Sequence, residues 1–115
     1  MATANTSVKD LMQVLTSQHA ALCAKLDTVT DPGLGDAINA QALEILHRIN
    51  VTQNLLLVAA TDEVTDAVVA VKAAGDKLTQ DLQDIADTAR FIDSVSVFLG
   101  RVDSAIAMAK KVAVL

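Results

Sequence analysis

Residues 62–115 read DEVTDAVVAVKAAGDKLTQDLQDIADTARFIDSVSVFLGRVDSAIAMAKKVAVL. Every seventh residue from Val64 is apolar: Val64, Val71, Leu78, Ile85, Ile92, Leu99, Ile106 and Ala113. The stretch holds no Pro, and its only Gly residues are Gly75 and Gly100. A repeat of 3.5 residues sustained this long marks helix packed lengthwise on helix. The fold class is therefore all-α.

The same stretch poses one question, whether residues 62–113 form one helix or two. The second position of the seam moves near residue 90, from Val68, Leu82 and Ala89 to Val95, Val102 and Ala109. Charge argues for continuity. A helix ending near Thr88 places Asp84 and Asp87 at its negative end, and the next opens with Arg90 at its positive end, each unfavourable by about 0.3–1 kcal/mol. In one helix, Asp62, Glu63 and Asp66 open the element and Lys110 and Lys111 close it, which suits the dipole. The shift then reads as a stutter. The expectation is an antiparallel bundle of three helices with a long C-terminal one. The alternative is a closed up-down four-helix bundle broken near residues 88–90.

Upstream, residues 1–6 are polar and expected to fray. Ser7 and Asp10 resemble a capping box. Val8, Leu11, Leu15, Leu22, Leu26 and Val29 follow at helical spacing, which predicts a first helix over 7–28. Residues 30–35, TDPGLG, are the strongest breaker cluster, with Asp31 or Asp36 available as the next cap. The stripe Ile38, Ala42, Ile45, Ile49, Leu56 and Ala60 predicts a second helix over 36–60. A phase break between Leu57 and Val64 places a tight turn near Ala60–Asp62, with Thr61, Asp62 and Glu63 as cap and acidic first turn. Residues 7–115 then form one helical-bundle domain.

Composition excludes several functions. The chain has 115 residues, 52% hydrophobic, with Phe91 and Phe98 its only aromatics. Two aromatics cannot build a stacking surface for bases or sugars. A net charge of −5 argues against a nucleic-acid partner. The longest apolar run, Leu55 to Ala60, is far short of the roughly 20 residues of a membrane span. Residues 1–7 show no basic n-region leading into an apolar h-region. The location expected by default is cytoplasmic, with signal-less export the other route. A lone Cys23 permits no intrachain disulfide.

Few residues suggest chemistry. His19 and Cys23, four apart, share a helix face, where imidazole and thiol can bind metal or activate a nucleophile. The plainer reading is a buried, structural histidine beside a small thiol. Glu44 and His47 form an E-x-x-H pair, but di-iron bundles need two such motifs and more Glu. Haem held by His19 with Met12, Met108 or His47 lacks a C-x-x-C-H and an aromatic lining. Asp76, Asp81, Asp84, Asp87 and Asp93 spread around the helix as a solvated face. No phosphate loop or nucleophile elbow is present. No catalytic residue, metal or cofactor is implied.

A mean hydropathy of +0.41 is high for a chain that stays alone in water. The function expected is a non-enzymatic helical interaction protein that binds itself or another helical protein. Two other classes stand beside it. One is a carrier of a small ligand, metal or haem in the bundle interior around His19. The other is a peripheral binder of membranes or apolar surfaces. Residues 62–113 as one helix span about 78 Å, and helices 7–28 and 36–60 only about 33 and 37 Å. The second half is then left uncovered. Its face, Phe91, Ile92, Val95, Phe98, Leu99, Val102 and Ile106, is the interface expected for an antiparallel homodimer. On this reading Leu99→Asp yields monomers or unfolded protein.

Overall fold

The computed structural model describes residues 6–55, 61–84 and 87–114. The described residues are helical, in four elements: α1 (Thr6–Leu26), α2 (Pro32–Gln53), α3 (Asp62–Asp84) and α4 (Thr88–Val114). No strand occurs among them.

The single long helix is corrected: the chain breaks between Asp84 and Thr88. Magnitude explains why the charge argument lost. The misplaced charges cost tenths of a kcal/mol each. Folding α4 back on α3 buries Phe91, Val95, Phe98 and Val102 completely, each side chain contributing about 1.5–3 kcal/mol. Asp87 also belongs to the other helix. It directly precedes α4, and its carbonyl accepts the Phe91 N–H at 3.0 Å, so its charge sits at a positive helix end. The seam shift near residue 90 was therefore the break itself. In α3 the buried stripe is Val64, Val68, Val71, Leu78 and Leu82; in α4 it restarts as Phe91, Val95, Phe98, Val102 and Ala109. Ile92, a member of the apparent heptad run, is 40% exposed.

The other helix ends follow local chemistry. The breaker cluster starts α2 four residues earlier than the apolar stripe suggests. Asp31 is the N-cap in extended conformation, its carboxylate accepts from Gly33 N at 3.1 Å, and Pro32 fills the first helical position. Proline suits that position because its missing N–H would have had no helical partner. Asp31→Ala is expected to lower stability by about 1 kcal/mol and Asp31→Asn by much less, read from urea denaturation midpoints. Equal midpoints for Asp31→Ala and the wild-type chain would show the cap to be idle. At α3, Thr61 Oγ1 accepts from Val64 N at 3.3 Å, with Asp62 and Glu63 in the first turn. The second helix, expected to run to residue 60, ends at Gln53 with Asn54 as its C-cap. The expected turn near Ala60 and the rest of the apolar run lie outside the described residues, apart from buried Leu55. The expected fraying over 1–6 does too, apart from Thr6, which opens α1.

Packing joins α1 to α2, α3 to α4, α1 to α3 and α2 to α4. Around the bundle the order is therefore α1, α2, α4, α3, with α2 and α3 across a diagonal. Directions follow from paired residues. Ser7 meets Thr65, Asp10 meets Lys72 and Gln18 meets Thr79, so α1 and α3 run together. Arg48 meets Asp103 near one end, and Gly33 lies beside Thr88 at the other, so α2 and α4 also run together. Ser94 bonds Asp81, which makes α3 and α4 antiparallel. The molecule is two helical hairpins laid face to face, 50 Å long and about 20 Å across.

One apolar core runs between them, with Leu11, Leu15, Leu22, Ile38, Ile45, Leu78 and both Phe rings almost fully enclosed. On the outer edge, Arg48 ties α2 to α4. Its Nε and Nη2 donate to the two oxygens of Asp103 at 2.7 and 3.1 Å, and Nη1 donates to Glu44 at 3.0 Å. The Asp103 hydrogen bonds raise the Arg48 pKa above its ordinary value, against the opposing effect of burial. Asp103 and Glu44 are both more than half exposed, so this link contributes only about 1 kcal/mol.

Candidate functional site

The face expected to meet a second copy is mostly internal. Phe91, Val95, Phe98 and Val102 are fully buried, Ile106 and Leu99 are under 10% exposed, and only Ile92 reaches solvent. The premise of an uncovered half-helix is corrected by the separation of α3, ending at Asp84, from α4, beginning at Thr88. With α4 folded back, α2 and α3 cover what a partner would otherwise have covered.

His19 is corrected as well. It is half-buried rather than buried, and Cys23 beside it is exposed, its Sγ 3.9 Å from His19 Nδ1. The centre of the α1 stripe lies one residue away, at Gln18. Met12 and Met108 are half-buried and His47 is exposed. Glu44 of the E-x-x-H pair is taken by Arg48. Among the described residues, no three His, Cys, Asp or Glu side chains gather into a metal site. No described helix is long and apolar enough to cross a membrane.

Gln18 is the polar residue that the pattern reading passed over, although it stands three after Leu15 and four before Leu22. It is 5% exposed, and Nε2 donates to Gly75 O and Thr79 Oγ1, both at 2.9 Å. A Cβ at Gly75 would lie 3.2–3.4 Å from Val14, Gln18 and Phe98. Glycine is what lets α1 approach closely enough for the amide to reach across. Gln18 Oε1 is buried without a hydrogen-bond partner, so the amide gains two bonds and forfeits others. Its role is to lock the register of α1 on α3, as a buried amide does in paired helices. Gln18→Met is expected to leave stability within about 1 kcal/mol, or raise it, because Thr79 still satisfies Gly75 O. The expected loss is of uniqueness: amide resonances of α1 and α3 should broaden. A loss above about 2 kcal/mol would mean that the two bonds outweigh the orphaned oxygen.

Beside this crossing lies an open polar cleft of about 370 Å³, lined by Asp10, Gln13, Ser17, Lys72, Asp76 and Thr79. The Asp10–Lys72 ion pair at 3.1 Å spans it.

The outer junction of α3 and α4 is different in kind. There Ala70, Ala73, Ala74 and Val97 floor a groove of about 370 Å³, with Lys77 and Arg101 on its edges. A second hollow of about 300 Å³ continues it toward Leu78, Arg90 and Ser94. Val97 is 58% exposed, as is Val69 on the outer face of α3. The alanines exist here because α3 turns small residues outward and keeps its valines and leucines inward. In the second hollow the Ser94 hydroxyl donates to Asp81 at 3.1 Å. Among the described residues, no His or Cys lines either hollow. The groove can seat an apolar surface and offer charge at its rim.

No protein-family model, no curated protein and no solved structure matches this chain.

Proposed function

We propose that this is a non-enzymatic helix-docking protein, which offers the outside of its closed helical core to a second helix, of another copy or of another helical protein. The observation that supports the reading is the α3/α4 groove: an alanine floor with exposed Val97, edged by Lys77 and Arg101. Small side chains let a second helix axis come close, at the 8–10 Å typical of packed helices. The charged edges fix its direction. The docking face expected from sequence was the inner stripe of the last helix. The reading keeps the function and moves the face outward, because the inner stripe is occupied by the chain's own core.

A photoreactive amino acid at Ala73, in the cell that makes the protein, tests this. Ala40, exposed on α2, is the reference position. A discrete cross-linked product from position 73 and none from position 40 is the expected result. No product from position 73, or the same products from both, would refute docking at this groove.

A further inference from the structure

We infer that the helix received on this face is α3 of a second copy of this chain, lying antiparallel on its counterpart. The inference rests on the helix-docking reading above and commits it to one occupant.

Asp66, Ala70, Ala73 and Lys77 recur at i, i+4, i+7 and i+11, so they share one face of α3. Asp66, Ala73 and Lys77 are exposed and Ala70 is half-buried, so the face is open. Read in reverse, this face is its own complement. A two-fold axis between residues 71 and 72 sets Asp66 opposite the partner's Lys77, and Ala70 opposite the partner's Ala73, each pair occurring twice. A parallel arrangement sets Asp66 against the partner's Asp66 and is disfavoured by like charge. An isologous contact of this kind closes on itself and stops at two copies.

The neighbouring helix agrees. The pairs Asp81–Ser94 and Gly75–Phe98 bring the same axis past α4 near residues 102–103. Val97 then falls level with the partner's Met108. An exposed valine is matched by a half-buried methionine, so both helices of the hairpin add apolar contact. Lys77 remains available for this pairing: its link to Asp81 is long, 3.8 Å, and its side chain is 73% exposed.

Sedimentation equilibrium of the full chain, from about 1 to 100 micromolar, tests the inference. The wild-type chain is expected to show a concentration-dependent dimer. Asp66→Lys and Lys77→Asp should each weaken dimerisation about tenfold, since each variant makes two like-charged pairs. The double variant should recover most of the loss. Circular dichroism should show all three folded, because both positions are exposed. A wild-type monomer throughout, single variants as tight as wild type, or a double variant no tighter than the singles would each overturn the inference. Cross-linking at Ala73 separates the two levels. A monomeric chain that cross-links there to a different protein refutes the second copy and keeps helix docking. A monomeric chain with no product refutes both.

Discussion

Leu99→Asp is expected to unfold the chain rather than to separate folded subunits. Leu99 is 9% exposed and belongs to the core between the hairpins, so every folded copy must bury the new carboxyl. The substitution forfeits the burial of a leucine, about 1.5–3 kcal/mol, and adds the desolvation of a buried acid. The expected deficit is about 4–5 kcal/mol or more, a large part of the roughly 5–15 kcal/mol that holds a domain together. The pH dependence has a definite sign. Burial raises the folded-state pKa of the introduced acid above its unfolded value of about 3.9, so the folded state holds the proton longer. The deficit against wild type is therefore smallest below about pH 4, where the lost leucine burial remains, and grows as pH rises. Urea midpoints of the two chains at pH 4 and pH 7, with helicity followed by circular dichroism, check both statements. A folded, monomeric Leu99→Asp chain at neutral pH would return Leu99 to an interface between copies.

Phe98→Ala is expected to lose about 3–5 kcal/mol, the range for removing an enclosed aromatic ring. The ring is fully buried where α3 and α4 cross, and its Cε1 stands 3.4 Å from where a Cβ on Gly75 would be. That proximity makes a second, sharper test. In the wild-type chain, Gly75→Ala adds helix propensity worth about 1 kcal/mol but crowds Val14, Gln18 and the Phe98 ring. With the ring gone, the crowding falls and part of the cavity is filled. Gly75→Ala should thus be more favourable in the Phe98→Ala background than alone, by at least about 0.5 kcal/mol. A double-mutant cycle by thermal or urea denaturation measures this coupling. Strict additivity would show that residue 75 and the ring do not share packing.

Both substitutions act on the inner face of α4, and this is where reading from sequence and folding in space diverged. The composition of that face was legible. Phe91, Val95, Phe98, Leu99, Val102 and Ile106 were picked out together, and they do pack as one surface. What they pack against was not legible. Periodicity reports which side of a helix is apolar, and says nothing of whether the cover comes from the same chain or another. The deciding fact was that α4 folds back on α3 after Asp84, in a stretch of sequence without Gly or Pro. Local charge voted against it, with weights about a quarter of those of the side chains it buries. Gln18 shows a related blind spot. Its spacing placed it in the α1 stripe, but a polar letter reads as a surface residue. Only the approach of Gly75 and Thr79, 57 and 61 residues away in sequence, supplies its partners.

By itself the sequence determined that the chain is helical, where its apolar stripes lie, that a helix opens near Thr61, and that another opens after the breaker cluster with Asp31 or Asp36 as its cap. These rest on interactions within a few residues, which the order of letters contains. The tertiary structure alone decided that the last stretch is two helices, that α2 and α3 stand across a diagonal, that His19 is on a flank and Gln18 inside. It also decided that the alanines of α3 and Val97 of α4 form an outward groove. Each of these depends on contacts between residues far apart in the chain. Their energies, several kcal/mol per buried side chain, exceed the local preferences that a linear reading can weigh.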